Sequence, residues 1–352
     1  MDSFFASVEE RNRPYLKGMP IAVGSDPEGG MGRGVISTAN YPARAYGIRS
    51  ATPIRLAWKL SEDARKKGLP PVTFIEGDYH KYEGASKEVF SIIKKRFSHV
   101  EQIGIDEGYI DCTSYKSYAK AQRAMQELKS MIRKKTGLPC SVGIAPSKMF
   151  AKIASELEKP DGLVVLTPKR VAVLLPTLSI GTLPGVGRKT EEVFLRKGIK
   201  TVADARKLQW DELVDLFGTH GFSMYERIWG TDDRKVESEK ADAKSIGDEI
   251  TLRHDISDFK ESLPIIEKEA ATLIARMKAQ GFVGAQTVTC VVRLSDFTTF
   301  TRSVTAQEMV CDQKSLSTIA IKLILPSFDK RDNPRRQKIR LIGLRLTKLV
   351  RK

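Results

Sequence analysis

Two adjacent acidic residues inside an apolar run constrain this chain more than any other feature. Asp106 and Glu107 lie within Gln102–Asp111, a run of strand-like character in which Gly104 and Gly108 flank the acids. Burying charge in such a strand is costly unless a cation neutralises it. Carboxylate oxygens with no His or Cys nearby favour Mg²⁺, for which Mn²⁺ can substitute, and Mg²⁺ keeps positions open for phosphate oxygens. The alternative is a turn with two solvated acids, which an isolated Asp-Glu pair would favour.

Two further segments carry residues suited to a triphosphate. Thr38, Tyr41 and Arg44 follow one another at three-residue spacing, so they form one polar row if this segment is helical. Lys159 ends a predicted helix and precedes Pro160, a restricted position that can direct its ammonium toward phosphate. The alternative for Lys159 is a C-terminal lysine favoured by the helix dipole.

The charge balance indicates a polyanionic partner. The 352 residues include 59 Lys and Arg against 43 Asp and Glu, a formal net charge of +16, and nucleic acid fits this excess best. A merely basic protein is the alternative. The four cysteines are scattered without a CxxC pair, which argues against a zinc site or a disulfide scaffold and suits a reducing cytoplasm. No apolar stretch approaches the ~18 residues of a membrane span.

The order of patterns along the chain predicts several domains of α+β class. Residues 11–71 form a small module, and residues 72–166 alternate helical patterns with short β-type runs, as expected for helices on one face of a sheet. Residues 167–230 read as helical throughout. Residues 231–244 are charged and nearly free of apolar side chains, which predicts an exposed linker. Residues 245–352 read as a small βαβ-type α/β domain.

Several of these segments, taken in order, resemble the successive motifs of Y-family translesion DNA polymerases, in the DNA polymerase IV (DinB-like) branch. The matching segments are Met1–Glu9, Ser37–Arg44, Gly104–Glu107, Ser141–Ile144, Lys148–Ala154, Lys159–Pro160 and Leu183–Gly187. The resemblance covers almost the whole chain and implies a multidomain right-hand polymerase. Its parts would be a palm (1–10 and 72–166), fingers (11–71), a thumb with a helix-hairpin-helix (167–230), a linker (231–244) and a little finger (245–352).

The resemblance also implies roles for individual residues. Asp106 would be a metal ligand and Glu107 the adjacent catalytic carboxylate and ligand, with two Mg²⁺ ions as cofactors. Phe5 would be the steric gate that excludes a ribose 2′-hydroxyl, although a core aromatic is the alternative. The β- and γ-phosphates of an incoming dNTP would be held by Thr38, Tyr41, Arg44 and Lys159.

DNA contacts are expected at two places. The turn at Leu183–Lys189 resembles a helix-hairpin-helix, in which glycines let backbone amides approach a phosphate, and a basic run lies before the last strand. An ordinary turn and a solvated loop are the alternatives. The residues concerned are Gly185, Gly187, Arg188, Lys189, Arg331, Arg335, Arg336, Lys338 and Arg340.

The resemblance further implies an error-prone enzyme that works as a monomer on primer-template DNA, with a sliding clamp left as an open candidate partner. In the family, the first motif carries a metal-binding Asp two residues before a second Asp, and Asp2 registers with the second one. We therefore expect the working protein to begin several residues before Met1. A catalytically impaired DNA-binding relative is the first alternative and a nucleotidyl cyclase the second; primer extension separates them from a polymerase.

Overall fold

The computed structural model describes residues 1–239, 242–330 and 332–351, and the chain forms two compact units that meet in sequence at residues 240 and 241. The elements of the first unit up to residue 110 are α1 (Phe4–Asn12), β1 (Ile21–Gly24), β2 (Ile36–Ala39), α2 (Tyr41–Ala45), α3 (Ile54–Lys66), β3 (Thr73–Glu76), α4 (Tyr79–Arg96), β4 (Val100–Gln102) and β5 (Gly108–Ile110). They are followed by α5 (Tyr118–Thr136), β6 (Val142–Ile144), α6 (Lys148–Leu157), β7 (Leu163–Val165), α7 (Pro168–Leu174), α8 (Arg188–Arg196), α9 (Val202–Ala205), α10 (Trp210–Phe217) and α11 (His220–Trp229).

A three-stranded sheet with the order β2-β1-β3 forms the early part of the first unit. Strand β1 pairs antiparallel with β2 and parallel with β3. One face of this sheet, which carries Ala22 and Ile36, packs on α3 and the segment before it, where Ile54 and Ile48 are buried. This small core fixes the end of β2 and the start of α2, which carry the predicted phosphate-binding residues.

The predicted single sheet in residues 72–166 is wrong, because the strands form two separate pairs. Strands β4 and β5 make an antiparallel hairpin, and β6 and β7 pair in parallel. The helices on this region were predicted correctly: α5 begins where the Ser117 hydroxyl accepts from the amide of Lys120 and ends at Gly137, whose φ is +71°. The apolar sides of α4 and α5 supply a core that includes Tyr82, Phe90 and Leu128.

Helix α6 lies between two cores, and this placement presents its polar side to the candidate site. Met149, Phe150 and Ile153 pack among residues of the helical region that follows, such as Phe194 and Ile180. The predicted all-helical character of residues 167–230 is confirmed by α7 to α11. Because the apolar face of α6 is committed to this core, its charged residues face elsewhere.

Residues 232–237 are mostly exposed, as predicted, but they are also hydrogen-bonded to the rest of the first unit, which the prediction of a linker did not include. Asp232 accepts from the amide of Met149 at 2.6 Å, and the carbonyl of Lys235 accepts from Lys148 Nζ at 2.9 Å. The amide of Glu237 donates to Glu101 Oε2 at 2.8 Å. The Asp232 carboxylate and the backbone of Lys235 and Glu237 therefore form tertiary contacts, while residues 240 and 241 lie outside the described part.

The second unit is a four-stranded sheet covered by two helices. Its elements are β8 (Ser245–Ile256), α12 (Phe259–Ala279), β9 (Gly284–Leu294), β10 (Thr299–Val310), α13 (Gln313–Ile324) and β11 (Ile339–Val350). The sheet order is β10-β9-β11-β8, and every neighbouring pair is antiparallel. The predicted βαβ-type domain needs correction, since β11 lies between β8 and β9, the two strands that α12 connects.

Together the two units have the α+β class that the sequence predicts. Within the described ranges, no helix has the length and apolar character needed to cross a membrane.

Candidate active site and nucleic-acid interface

Asp106 and Glu107 lie in the connection between β4 and β5, which corrects the prediction that they lie inside a strand. The connection is tight, because the amides of Ile103 and Gly104 both donate to the carbonyl of Glu107 at 3.1 Å. Glycines on both sides of the acids end the two short strands instead of continuing one. Both acidic side chains are partly buried, so they are neither fully solvated nor enclosed.

The two acids have different electrostatic surroundings. Burial raises the pKa of Asp106, the ammonium of Met1 opposes this rise, and the negative charge of Glu107 adds to it. The same amino group donates to the backbone carbonyl of Asp106 at 2.8 Å. Glu107 instead forms an ion pair with Lys152 of α6. Lys152 is thus the counter-charge of one acid, while Asp106 has no side chain directly paired to it among the described contacts.

This acid pair fits a hard divalent cation. Mg²⁺ is commonly bound through one or two carboxylates, and water and substrate phosphates complete its coordination. Within the described residues there is no group of three or more His, Cys, Asp or Glu side chains placed to hold a metal ion. Asp106 and Glu107 therefore suit an ion that keeps open coordination positions for water or phosphate, and they do not form a closed protein cage.

A row of alternating charges on α6 continues from this acid pair. Glu156 Oε1 accepts from Lys152 Nζ at 3.0 Å and from Lys159 Nζ at 2.6 Å. Burial opposes the shift, but these two hydrogen bonds hold the pKa of Glu156 below its usual value. Lys152 and Glu156 were not singled out from the sequence, although their i,i+4 spacing on a predicted helix was a readable signal.

Thr38, Tyr41 and Arg44 do not share one helix, which corrects the predicted polar row. Thr38 lies on β2, and the other two lie on α2. The Arg44 guanidinium lies over the Tyr41 ring, 4.7 Å from its centroid, and Arg44 Nε donates to the carbonyl of Ala39 at 2.9 Å. Asn40 caps α2 by accepting from the amide of Ala43 at 3.1 Å. Helical spacing on α2 thus brings Tyr41 and Arg44 together, whereas Thr38 precedes them on β2.

Tyr41 links α2 to the charges of α6. Its hydroxyl is buried and has no hydrogen-bond partner within the described part of the chain. Burial raises the pKa of Tyr41 and the negative charge of Asp2 raises it further; the nearby Arg44 guanidinium opposes this rise, and Glu156 adds a smaller one. Tyr41 therefore lies within electrostatic range of Glu156. An orphaned buried hydroxyl is unusual and marks a place where a ligand acceptor fits.

We call this set of residues the charged pocket. It consists of Tyr41, Arg44, Asp106, Glu107, Lys152, Glu156 and Lys159, which are joined by ion pairs, by the Arg44–Tyr41 contact and by electrostatic interaction; the name refers to these residues and not to a cavity. Asp2 lies beside this set. Its buried carboxylate accepts from the Ser141 hydroxyl at 2.9 Å and from the amide of Asp161 at 2.8 Å. These bonds secure the segment that follows Lys159.

Phe5 lies on α1 and is partly buried, whereas the adjacent Phe4 is buried. Its ring stacks on Tyr82 with centroids 4.2 Å apart and planes inclined by 11°. The Tyr82 hydroxyl donates to Glu9 Oε1 at 2.8 Å. One side of the Phe5 ring is thus fixed by packing, and its role as a steric gate stays a prediction.

The turn at Leu183–Lys189 has the backbone geometry of a glycine-dependent loop. Gly185 has a φ of +92°, and Gly187 is the residue before the first turn of α8. Arg188 and Lys189 are exposed at the start of that helix. Backbone amides and cationic side chains therefore point outward from one helix N-terminus, an arrangement suited to phosphate.

The predicted basic run of the second unit is mostly exposed. Arg335, Arg336 and Lys338 lie at the surface before β11. Arg340 is partly buried and lies over the Phe297 ring, 4.6 Å from its centroid. Arg331 lies outside the described residues, so its placement is not tested.

The uncovered face of the second sheet carries hydroxyl and guanidinium groups that sequence reasoning missed. Thr287 pairs with Thr305 at 3.0 Å and Thr289 with Ser303 at 2.8 Å, measured between hydroxyl oxygens. Arg293 Nε donates to Thr299 at 3.0 Å along the same two strands. Alternation along β9 and β10 was the available signal, but it needed the register between the strands.

Comparison with known proteins gives one consistent result. Residues 1–156 match the impB/mucB/samB family, and residues 243–352 match the C-terminal domain of the same family. DNA polymerase IV of Methanoculleus marisnigri is 36% identical over 349 residues, an alignment that spans 99% of this chain and 92% of the relative. DNA polymerase IV of Escherichia coli (strain UTI89) is 36% identical over 353 residues, with 99% and 94% covered.

The solved structures that resemble this chain belong to the same kind of protein as these relatives. A Y-family DNA polymerase chimera of Dbh and Dpo4 is 25% identical and superposes with a TM-score of 0.85, covering 100% of this chain and 98% of the other. DinB from Sulfolobus solfataricus, at 24% identity, has a TM-score of 0.62 with 100% and 98% covered and supports the fold.

Proposed function

This chain belongs to the DNA polymerase IV group of the Y-family and is a DNA-directed DNA polymerase of the translesion class, and we propose that its chemistry takes place in the charged pocket. The observation that carries this proposal is the meeting of three separate segments there. The β4–β5 connection supplies two acids, α2 supplies a phenol and a guanidinium, and the end of α6 supplies Lys159. This combination suits a metal-bound triphosphate and few other ligands.

Asp106 and Glu107 would hold two divalent ions, with Mg²⁺ as the preferred species. When bound, such ions lower the pKa of a primer 3′-hydroxyl and screen the charge of the triphosphate and the leaving pyrophosphate. Arg44 and Lys159 supply fixed positive charge to the β- and γ-phosphates. The buried Tyr41 hydroxyl, which has no partner among the described residues, donates to a phosphate oxygen.

Phe5 is proposed to select deoxyribose. A ring held against Tyr82 at a centroid distance of 4.2 Å cannot move away easily, so a 2′-hydroxyl placed over it meets a rigid obstacle. Thr38, near the end of β2, is proposed to contribute a hydroxyl to the same triphosphate.

Primer-template DNA and dNTP are the proposed partners. The turn at Gly185 and Gly187, with Arg188 and Lys189, would bind a phosphate of the duplex backbone without reading its sequence. In the second unit the basic run and the uncovered sheet face would supply further backbone contacts. Because both groups of contacts are made to phosphates, the affinity for DNA should fall steeply as the salt concentration rises.

The proposal is tested by Tyr41→Phe in a primer-extension assay with Mg²⁺. The hydroxyl is expected to donate to a charged phosphate, so its loss should raise KM for dNTP by about 10–100-fold. Tyr46→Phe is the matched control, because its hydroxyl donates to the carbonyl of Pro70 outside the pocket. Equal KM values for the two variants would remove Tyr41 from the triphosphate site.

The same assay separates the competing functions. DNA binding without extension by the unsubstituted protein would favour a catalytically impaired DNA-binding relative. Turnover of a nucleotide with no DNA present would favour a cyclase.

A further inference from the structure

Glu156 is the junction between two lysines of the charged pocket. One carboxylate oxygen, Oε1, accepts from Lys152 Nζ at 3.0 Å and from Lys159 Nζ at 2.6 Å. Lys152 lies one helical turn before Glu156 on α6, whereas Lys159 lies beyond the end of α6 at Leu157 and reaches back to the same carboxylate. Glu156 is thus a shared acceptor for Lys152 and Lys159.

Lys152 is also shared, because its ammonium pairs with Glu107. An ammonium has three donors and can satisfy both carboxylates. A divalent ion on Glu107 would compete with that ammonium for the same carboxylate and would repel it. The structure shows where Lys152 can then remain paired: the bond to Glu156 already exists.

Lys159 has the complementary arrangement. Its ammonium is described in an ion pair with Glu156, at 2.6 Å, whereas the proposed function needs it on a phosphate oxygen. If Lys159 leaves Glu156 for the triphosphate, the carboxylate is free to bind Lys152 more fully. Lys159 can therefore leave while Lys152 remains, so that Glu156 still has one positively charged partner.

We propose that Glu156 is a positioning residue that holds Lys152 away from Glu107 when a divalent ion binds there, and that releases Lys159 to the triphosphate. This inference rests on the proposed function, since it assumes the ion site at Asp106 and Glu107. Glu156 itself touches neither the ion nor the reacting atoms. Its effect on the ion passes through Lys152.

The competing explanation is an ordinary surface ion pair. Exposed pairs contribute little to stability, and the Glu156 side chain is 45% exposed. A merely structural pair would leave the affinity for a divalent ion unchanged. Exchange of lysine partners instead predicts a change in ion affinity that disappears when Lys152 is removed.

The experiment is a titration of Mn²⁺ alone into the full chain, followed by electron paramagnetic resonance of free Mn²⁺. The binding at the pocket is taken as the part lost in Asp106→Asn. Glu156→Gln removes the acceptor that restrains Lys152, so Mn²⁺ affinity should fall about tenfold. Glu158→Gln is the matched control, because Glu158 is exposed at the end of the same helix and forms none of the ion pairs found among the described residues.

Two further variants test the route of the effect. In a Lys152→Met background, Glu156→Gln should change Mn²⁺ affinity by less than about twofold, because the competing ammonium is absent. Glu156→Asp keeps the charge and should recover most of the lost affinity.

The results separate two kinds of failure. If the unsubstituted protein shows no Asp106-dependent Mn²⁺ binding, the proposed ion site itself fails. If it binds Mn²⁺ but Glu156→Gln matches Glu158→Gln, or keeps its full effect without Lys152, then only the positioning role of Glu156 is wrong.

Discussion

Substitution of Lys148 is the sharpest test of how residues 232–237 are attached to the first unit. Its side chain is 10% exposed, and its ammonium donates to Glu101 Oε2 at 2.5 Å and to the carbonyl of Lys235 at 2.9 Å. Lys148→Met keeps the length and apolar stem of the side chain but removes both bonds. Glu101 then keeps the amide of Glu237 as a partner and loses its counter-charge.

The expected cost follows from the burial of this pair. Removing one partner of a buried ion pair costs about 3–5 kcal/mol. Glu101 is 18% exposed and retains one hydrogen bond, so we expect a cost below that range, about 2–3 kcal/mol. Replacing Glu101 by Leu in the same variant removes the unpaired charge and should recover part of that loss.

The assay is limited proteolysis by trypsin, which cleaves after Arg234 and Lys235 within the bonded segment, together with urea unfolding. Cleavage there should be at least about tenfold faster in Lys148→Met, because the segment detaches more often. Lys134→Met, on an exposed position of α5, is the control. If Lys148→Met is cleaved at the wild-type rate and its unfolding free energy changes by less than about 0.5 kcal/mol, the reasoning is refuted.

Three other outcomes are expected. Gly187→Ala should weaken DNA binding without lowering stability, since a Cβ there meets nothing within 4 Å. Gly185→Ala should lower both DNA affinity and stability, because its φ is +92° and the Cβ would lie 2.0 Å from Arg227 Nη1. Equal DNA affinity for Gly187→Ala and the wild type would count against phosphate contact. Phe5→Ala should raise ribonucleotide insertion, measured as the ratio of dNTP to rNTP incorporation, and an unchanged ratio would dismiss the gate. Burial raises the pKa of Cys290 to about 12, so its thiol should resist a thiol reagent at pH 8 until urea unfolds the chain, and rapid labelling of the folded protein would contradict its burial.

The sequence predicted the elements whose signals are local. Helix α5 has a serine cap, an apolar stripe and a terminal glycine, all within its own residues. The order of motifs was enough to indicate the family, because each motif is a short string. These features need no knowledge of which segments meet in space.

The errors concern features that depend on distant segments. The run around Asp106 was interpreted as one strand because it is an apolar run of strand-like character, yet it contains a turn between two strands of three residues each. Residues 232–237 looked solvated because they are charged, but Asp232 binds the amide of Met149 and the carbonyl of Lys235 binds Lys148. Charge content alone does not reveal a tertiary partner.

The same limit explains the second unit and the missed site residues. Placement of β11 between β8 and β9 depends on pairing across more than forty residues, which local patterns do not encode. Glu156 was overlooked because its importance comes from the lysines it joins, not from its own type.

The most direct test of the account is single-turnover primer extension by Asp106→Asn with DNA affinity measured on the same preparation. Asp111→Asn is the control, since Asp111 follows the same hairpin and its carboxylate accepts from Thr113. If Asp106 holds a divalent ion against the triphosphate, extension should fall by about 10²–10³-fold with duplex affinity unchanged. Extension at the rate of the control would contradict the assignment of the charged pocket as the active site.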